Sequence, residues 1–121
     1  MPHRVLLVDD EPDFVDTISL RLQANGYEVI PAHDGETALE IAGSRPVDVI
    51  LLDILMPGMS GFEVLEKLQE NEKTRRIPVV VLSSAGETKF IFKAERLGAK
   101  DYVIKTADSS EMLEALERVL P

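Results

Sequence analysis

The chain has no cysteine, so it can hold neither a disulfide framework nor a thiolate metal site. It has no apolar run near the ~20 residues that a membrane-spanning helix needs. It has no basic run either: its densest cationic patch, Lys73, Arg75 and Arg76, is balanced by Glu70 and Glu72. With a formal net charge of −9, it lacks the cationic surface by which nonspecific nucleic-acid binders displace counterions. Direct contact with nucleic acid or membrane is therefore not expected. The opening residues, Met1-Pro2-His3-Arg4, lead into an apolar segment with no signal-peptide pattern. Internal repeats, low-complexity segments and long linkers are absent. These features fit an intracellular, cytoplasmic globular chain. Its 121 residues, 45% of them hydrophobic, fit one domain over 1–121. A domain of that size buries roughly two-thirds of the surface of its unfolded chain.

What the chain does have is a set of apolar runs that each end on a polar group. Val5-Leu6-Leu7-Val8 is followed by Asp9 and Asp10, and Val49-Ile50-Leu51-Leu52 by Asp53. Val79-Val80-Val81-Leu82 leads to Ser83, and Tyr102-Val103-Ile104 to Lys105. Continuous apolar runs of this length are those of strands buried on both faces of a parallel sheet. The runs predict strands at Arg4–Val8, Tyr27–Pro31, Val47–Leu52, Pro78–Leu82 and Asp101–Ile104. In such sheets ligands bind outside the carboxyl ends of the strands. All five polar groups would then gather at one edge, where carboxylates, a hydroxyl and an amine suit a hard cation and a phosphoryl group.

Helical periodicity fills the intervals. Phe14, Ile18 and Leu22, with Val15 beside them, mark a first helix; Ala38, Leu39, Ile41 and Ala42 a second; Phe62, Val64, Leu65 and Leu68 a third. Phe90, Ile91, Ala94 and Leu97 mark a fourth, and Met112, Leu113, Leu116 and Leu120 a fifth. Pro12 fits a first helical turn, Asp34, Ser60 and Asp108 or Ser109 fit N-caps, and Asn25-Gly26 and Leu97-Gly98 fit C-termini. Five βα units with right-handed crossovers predict an α/β three-layer sandwich, a flavodoxin-like (βα)5 fold with parallel strand order 2-1-3-4-5. That order sets the first and third strands side by side, so Asp9, Asp10 and Asp53 converge.

Four segments carry a family resemblance: Leu6-Leu7-Val8-Asp9-Asp10-Glu11, Leu51 through Gly61, Leu82-Ser83-Ser84-Ala85, and Gly98 through Lys105. In this order and spacing, over essentially the whole chain, they resemble the receiver domain of two-component response regulators. The resemblance implies that Asp53 is the phosphoacceptor. It implies that Asp10, Asp53 and the backbone carbonyl of Leu55 ligate Mg2+, with Asp9 acting through water and Mn2+ able to substitute. Ser83 would hydrogen-bond a phosphoryl oxygen, Lys105 would pair with the phosphoryl charge, and Tyr102 would be an aromatic switch coupled to Ser83. The implied partners are a sensor histidine kinase or histidine phosphotransfer protein upstream, and a protein bound through the fourth helix, fifth strand and fifth helix downstream. A monomer is expected, with dimerisation on phosphorylation left open.

The residue chemistry agrees with these roles. Mg2+ takes oxygen ligands and keeps several waters, so one or two carboxylates and phosphate oxygens suit it. It would also offset repulsion among clustered acids, which otherwise raises a carboxyl pKa. Phosphoryl transfer asks mainly for positioning and charge stabilisation. Taken singly, each residue has a plainer reading: Asp9 and Asp10 as helix-capping acids, Asp53 as a turn residue, Ser83-Ser84 as a cap, Lys105 as a solvated lysine and Tyr102 as core. Met56-Pro57-Gly58 reads as a tight turn and Gly61 as a close approach at a helix start. His3 and His33 stand far from the acid motifs in sequence and are not expected to bind metal.

Three positions tune the expectation. The family usually follows its lysine with a cis proline, whereas Thr106 follows Lys105 here. A cis bond before a non-proline residue costs ~2.5–4 kcal/mol. The bond is therefore expected to be trans, with the following loop displaced and Lys105 re-aimed. Leu55 and Ala85 are apolar where the family tunes water access, so slow self-dephosphorylation is expected. Ser84 is small enough to admit a phosphoryl group. Phe90-Ile91-Phe92 cannot all face one core, so one should be exposed, and Phe14 and Val15 would help dock a phosphodonor if exposed. The chain is expected to catalyse at most its own phosphorylation and slow dephosphorylation. A phosphatase passing through an aspartyl-phosphate would need a second acid two residues after Asp53, where Leu55 stands. A pseudo-receiver that signals without phosphate is the remaining alternative. Whether the chain acts alone or belongs to a longer regulator stays open.

Overall fold

The computed structural model describes residues 2–106 and 108–121. Five strands alternate with five helices: β1 (Arg4–Val8), α1 (Pro12–Ala24), β2 (Glu28–Ala32), α2 (Gly35–Ser44), β3 (Val49–Leu52), α3 (Gly61–Glu70), β4 (Val79–Ser83), α4 (Thr88–Arg96), β5 (Asp101–Ile104) and α5 (Ser110–Val119). The strands form one parallel sheet in the order β2-β1-β3-β4-β5, as the alternation predicts.

Side chains alternate across each strand, so a continuous apolar run supplies two cores at once. Leu6, Val8, Ile50, Leu52, Val79 and Val81 pack with α2, α3 and α4 on one face. Val5, Leu7, Val49, Leu51, Val80, Leu82 and Val103 pack with α1 and α5 on the other. Pro31 lies in β2, an edge strand, where a missing N–H is tolerated.

Strand ends differ from expectation by one or two residues. β2 runs on to Ala32 because Val8 pairs with it, and β4 runs on to Ser83, which pairs with Ile104. Val47 lies outside β3; the Asp48 carboxylate instead accepts from the Arg4 amide at 2.7 Å at the sheet's lower edge. Asp34 and Ser60 cap their helices by accepting from Thr37 and Glu63 amides. At α5 the cap position is Ser109, but its side chain makes no capping bond; Asp108 accepts from the Ser110 amide at 2.9 Å. The C-terminal glycines Gly26 and Gly98 adopt positive φ of 89° and 105°.

Candidate functional site

The sheet register builds the site. Val8 is paired with Leu52, so β1 and β3 release Asp9 and Asp53 together at the carboxyl edge. Each continues the ladder by one bond: the Asp9 amide donates to the Ala32 carbonyl and the Asp53 amide to the Val8 carbonyl, both at 3.0 Å. The Lys105 amide donates to the Ser83 carbonyl at 2.9 Å. The side chains of Asp9, Asp53 and Lys105 thus stand on backbone that the sheet itself holds.

The carboxylates are fixed locally as well. Asp9 Oδ1 accepts from the Glu11 amide at 3.0 Å, and Asp53 Oδ1 from the Leu55 amide at 3.2 Å. Asp9 and Asp53 are buried and Asp10 is partly exposed. One carboxylate oxygen from each of the three lies within 4.8 Å of the others, which makes a set of ligands that could hold a metal ion. The close fit extends to α3: a Cβ on Gly61 would sit 2.3 Å from the Asp53 carbonyl oxygen, so only glycine lets the helix start that near. Gly58, with φ of 74°, turns the loop between them.

Lys105 reaches into the cluster. Its Nζ lies 2.7 Å from Asp9 Oδ2, 3.4 Å from Asp53 Oδ2 and 3.6 Å from Glu11 Oε1. The ammonium also lies 4.2 Å from the centroid of the Phe14 ring. Burial raises the Asp53 pKa above the ordinary carboxylate value; Lys105 acts against this, Asp9 adds to it, and the Leu55 amide and Ser83 hydroxyl act against it. Repulsion from a neighbouring acid is thus real but secondary to burial. For Lys105, burial acts to lower the pKa, but the bond to Asp9 and the charges of Asp53, Asp9 and Glu11 outweigh it and the pKa is raised.

Ser83 is fully buried, and its Oγ accepts from the Ala85 amide at 3.2 Å. Tyr102 packs partly buried against the core on the α4 side, and its hydroxyl donates to the Ala85 carbonyl. Burial raises its phenol pKa, the Ser83 hydroxyl acts against this, and Glu87 and Asp53 add to it. Tyr102, Ser83 and Asp53 are therefore electrostatic neighbours.

All seven sequence-derived positions, Asp9, Asp10, Asp53, Leu55, Ser83, Tyr102 and Lys105, meet at this edge. One detail departs from expectation and two others refine it. No peptide bond among the described residues is cis, so the 105–106 bond is trans, yet Lys105 still lies on the acids rather than being re-aimed. The loop after it includes Ala107, which lies outside the described residues. Val15 is buried and Phe14 half-buried, which leaves Val15 unable to serve as a docking contact. His33, distant in sequence, has Nδ1 3.2 Å from the Asp9 carbonyl oxygen because β2 adjoins β1. Sequence reasoning placed Glu11 in the first motif without giving it a role, and missed the contact of Phe14 with Lys105.

The chain matches the family model of the response regulator receiver domain over residues 5–117. It is 32% identical over 117 residues to the protein PilH of Pseudomonas aeruginosa, covering 97% of each. Of several other curated relatives it spans half the length or less. Its structure is similar to the Vibrio cholerae chemotaxis protein CheY4, with a TM-score of 0.93 and 32% identity over 99% of this chain and 100% of that one. It is also similar to the response regulator TrrA of Thermotoga maritima in complex with Mg2+-BeF, with a TM-score of 0.88 and 32% identity over 98% of this chain and 99% of that one. The chain belongs to the receiver domain family of two-component response regulators.

Proposed function

We propose that this domain is switched by phosphorylation of Asp53, with a histidine kinase or histidine phosphotransfer protein as donor. The observation that carries the reading is the meeting of Asp9, Asp10 and Asp53 with the Lys105 ammonium at one sheet edge. Oxygen donors alone fit a hard cation, and the TrrA relative was solved with Mg2+. Asp10, Asp53 and the Leu55 carbonyl would hold Mg2+, with Asp9 one water further out and Mn2+ an acceptable substitute. When bound, the ion supplies charge neutralisation for three acids and an incoming phosphoryl group.

The chain's own residues supply the rest. An ionised Asp53 oxygen forms the new bond to phosphorus while the donor's bond to phosphorus breaks, and the donor leaves with that electron pair. Lys105 lies within reach of the oxygens that take up negative charge, and the Ser83 hydroxyl can donate to one of them. The hydroxyl can donate while its oxygen still accepts from the Ala85 amide, so a move of Ser83 toward the phosphoryl group would draw the β4–α4 loop with it. Tyr102, bonded to the Ala85 carbonyl, would follow that loop and couple it to α4, β5 and α5. That surface would then engage a downstream protein. Phe92, 61% exposed on α4, bears out the expectation that one of the three adjacent apolar residues faces solvent. No nucleic-acid or membrane contact enters this reading, and among the described residues no helix is long and apolar enough to cross a membrane. A cytoplasmic, monomeric single domain fits it.

The test is a set of amide NMR spectra with and without acetyl phosphate and Mg2+. Shifts that spread from Asp53 to α4, β5 and α5, and that Asp53→Asn abolishes, are expected. Shifts confined to the metal cluster would favour a domain that binds partners without phosphate.

A further inference from the structure

We propose that Phe14 is a positioning residue for Lys105, carrying its ammonium on the ring face while the ammonium shifts its pairing from Asp9 toward Asp53. This rests on the reading of Asp53 as phosphoacceptor. The ammonium is shared between two acids, 2.7 Å from Asp9 and 3.4 Å from Asp53, so its nearer partner is the acid that is not the nucleophile. To serve a phosphoryl group on Asp53 it must slide, and a lysine has four flexible methylenes over which to lose its aim.

Among the described contacts of Nζ, only the Phe14 ring at 4.2 Å is not a carboxylate. A divalent cation on the cluster would draw on Asp9 and Asp53 and weaken their hold on Lys105. It would not compete for the ring. A ring face is also a broad, non-directional partner, unlike a hydrogen bond to one oxygen, so it can hold a cation through a short displacement. The ring is itself anchored: it is half-buried in the first turn of α1 and packs against the α1–α5 core. The Lys105 side chain is only 12% exposed, so the contact is largely withdrawn from water, where such an attraction is strongest.

The test compares Phe14→Leu, which keeps apolar bulk without a π face, with Phe14→Tyr, which keeps the face. The rate of adduct formation at Asp53 with acetyl phosphate and Mg2+ is measured for each. Phe14→Leu is expected to be slower by roughly three- to tenfold and Phe14→Tyr to stay within about twofold of the parent. In a Lys105→Gln background the same Phe14→Leu change should lose its effect, which a merely structural role for the ring would not do. The Lys105 ε-methylene proton shifts give a second readout that needs no phosphorylation: displaced upfield by the ring in the parent with Mg2+, relaxed in Phe14→Leu. An unchanged rate in Phe14→Leu, an equal slowing in the Lys105→Gln background, or identical ε-methylene shifts would overturn the proposal and leave Asp53 as phosphoacceptor. No adduct on the parent chain would instead defeat the functional reading, and the proton shifts would still decide whether Phe14 holds Lys105.

Discussion

On the proposed reading, Asp53 combines two opposed demands at the scale of one residue: burial beside another acid, and ionisation for attack. Its folded-state pKa is raised, so the folded protein holds the Asp53 proton more tightly than the unfolded chain does. The stability this gives is complete below the ordinary carboxylate value of 3.8 and is lost as pH rises through the raised value. Near neutral pH the ionised Asp53 is thus a destabilising group. Asp53→Asn is expected to raise the thermal midpoint at pH 7 by a few degrees, at about 4 °C per kcal/mol for a domain of this size. The difference should vanish as the pH falls below the carboxylate range. Lys105 follows the same sign in a much higher window, so at neutral pH its contribution is still stabilising. Its raised pKa contributes stability that is complete below the ordinary lysine value of 10.5 and is lost only at higher pH. Leu55, 51% exposed beside Asp53, presents no polar group with which to guide a water. Phosphoryl lifetimes of minutes or longer are expected from timed mass spectra, shortened severalfold by Leu55→Asn; a lifetime of seconds in the parent would contradict this.

The acids, Ser83 and Lys105 were legible together because each follows an apolar run, and a parallel sheet brings the carboxyl ends of such runs to one edge. Lys105 staying on the acids across a trans bond was not legible. Its aim depends on Asp9, Glu11 and Phe14, contacts between elements that no local pattern records.

Elements hold the site in place through their ends. Gly61 starts α3 against the Asp53 backbone, and a methyl there has no room. Gly61→Ala should cost about 1–3 kcal/mol, the usual range for overpacking, read as a lower urea midpoint. The other end of α3 is tied by a buried hydroxyl: Thr74 Oγ1 donates to the Leu68 carbonyl at 2.7 Å. Thr74→Val keeps the shape but leaves that carbonyl without this donor, and a loss of roughly 1–3 kcal/mol is expected in the same assay. Thr74 escaped the sequence reading because a lone threonine in the polar stretch Glu72-Lys73-Thr74-Arg75 looks like loop. Helix faces were legible by periodicity where the sheet covers them fully, as in α1 and α3. In α4 only Ala94 is buried; Phe90 and Ile91 are partly exposed and Phe92 faces solvent, so periodicity alone overstates that helix's buried face.

At the scale of the whole molecule, the order of strands could be inferred because a parallel sheet buried on both faces has few solutions once connections are short and right-handed. The downstream partner could not, since on the proposed reading its choice rests on the surface of α4, β5 and α5, where sequence is freer of packing constraint. The molecule's charge of −9 is concentrated in part at one edge, where three acids meet. Millimolar Mg2+ is therefore expected to raise the thermal midpoint; binding at ten times the Kd contributes about 1.4 kcal/mol. Asp10→Asn should abolish most of that rise, whereas monovalent salt at equal ionic strength should not reproduce it.

The central claim is that Asp53 takes up a phosphoryl group. The direct measurement is the intact mass of the protein after incubation with acetyl phosphate and Mg2+, alongside Asp53→Asn. The expected result is a single phosphoryl adduct, lost on treatment with hydroxylamine and absent from the variant. An unmodified mass under conditions where Mg2+ demonstrably binds, or an equal adduct on Asp53→Asn, would contradict the account.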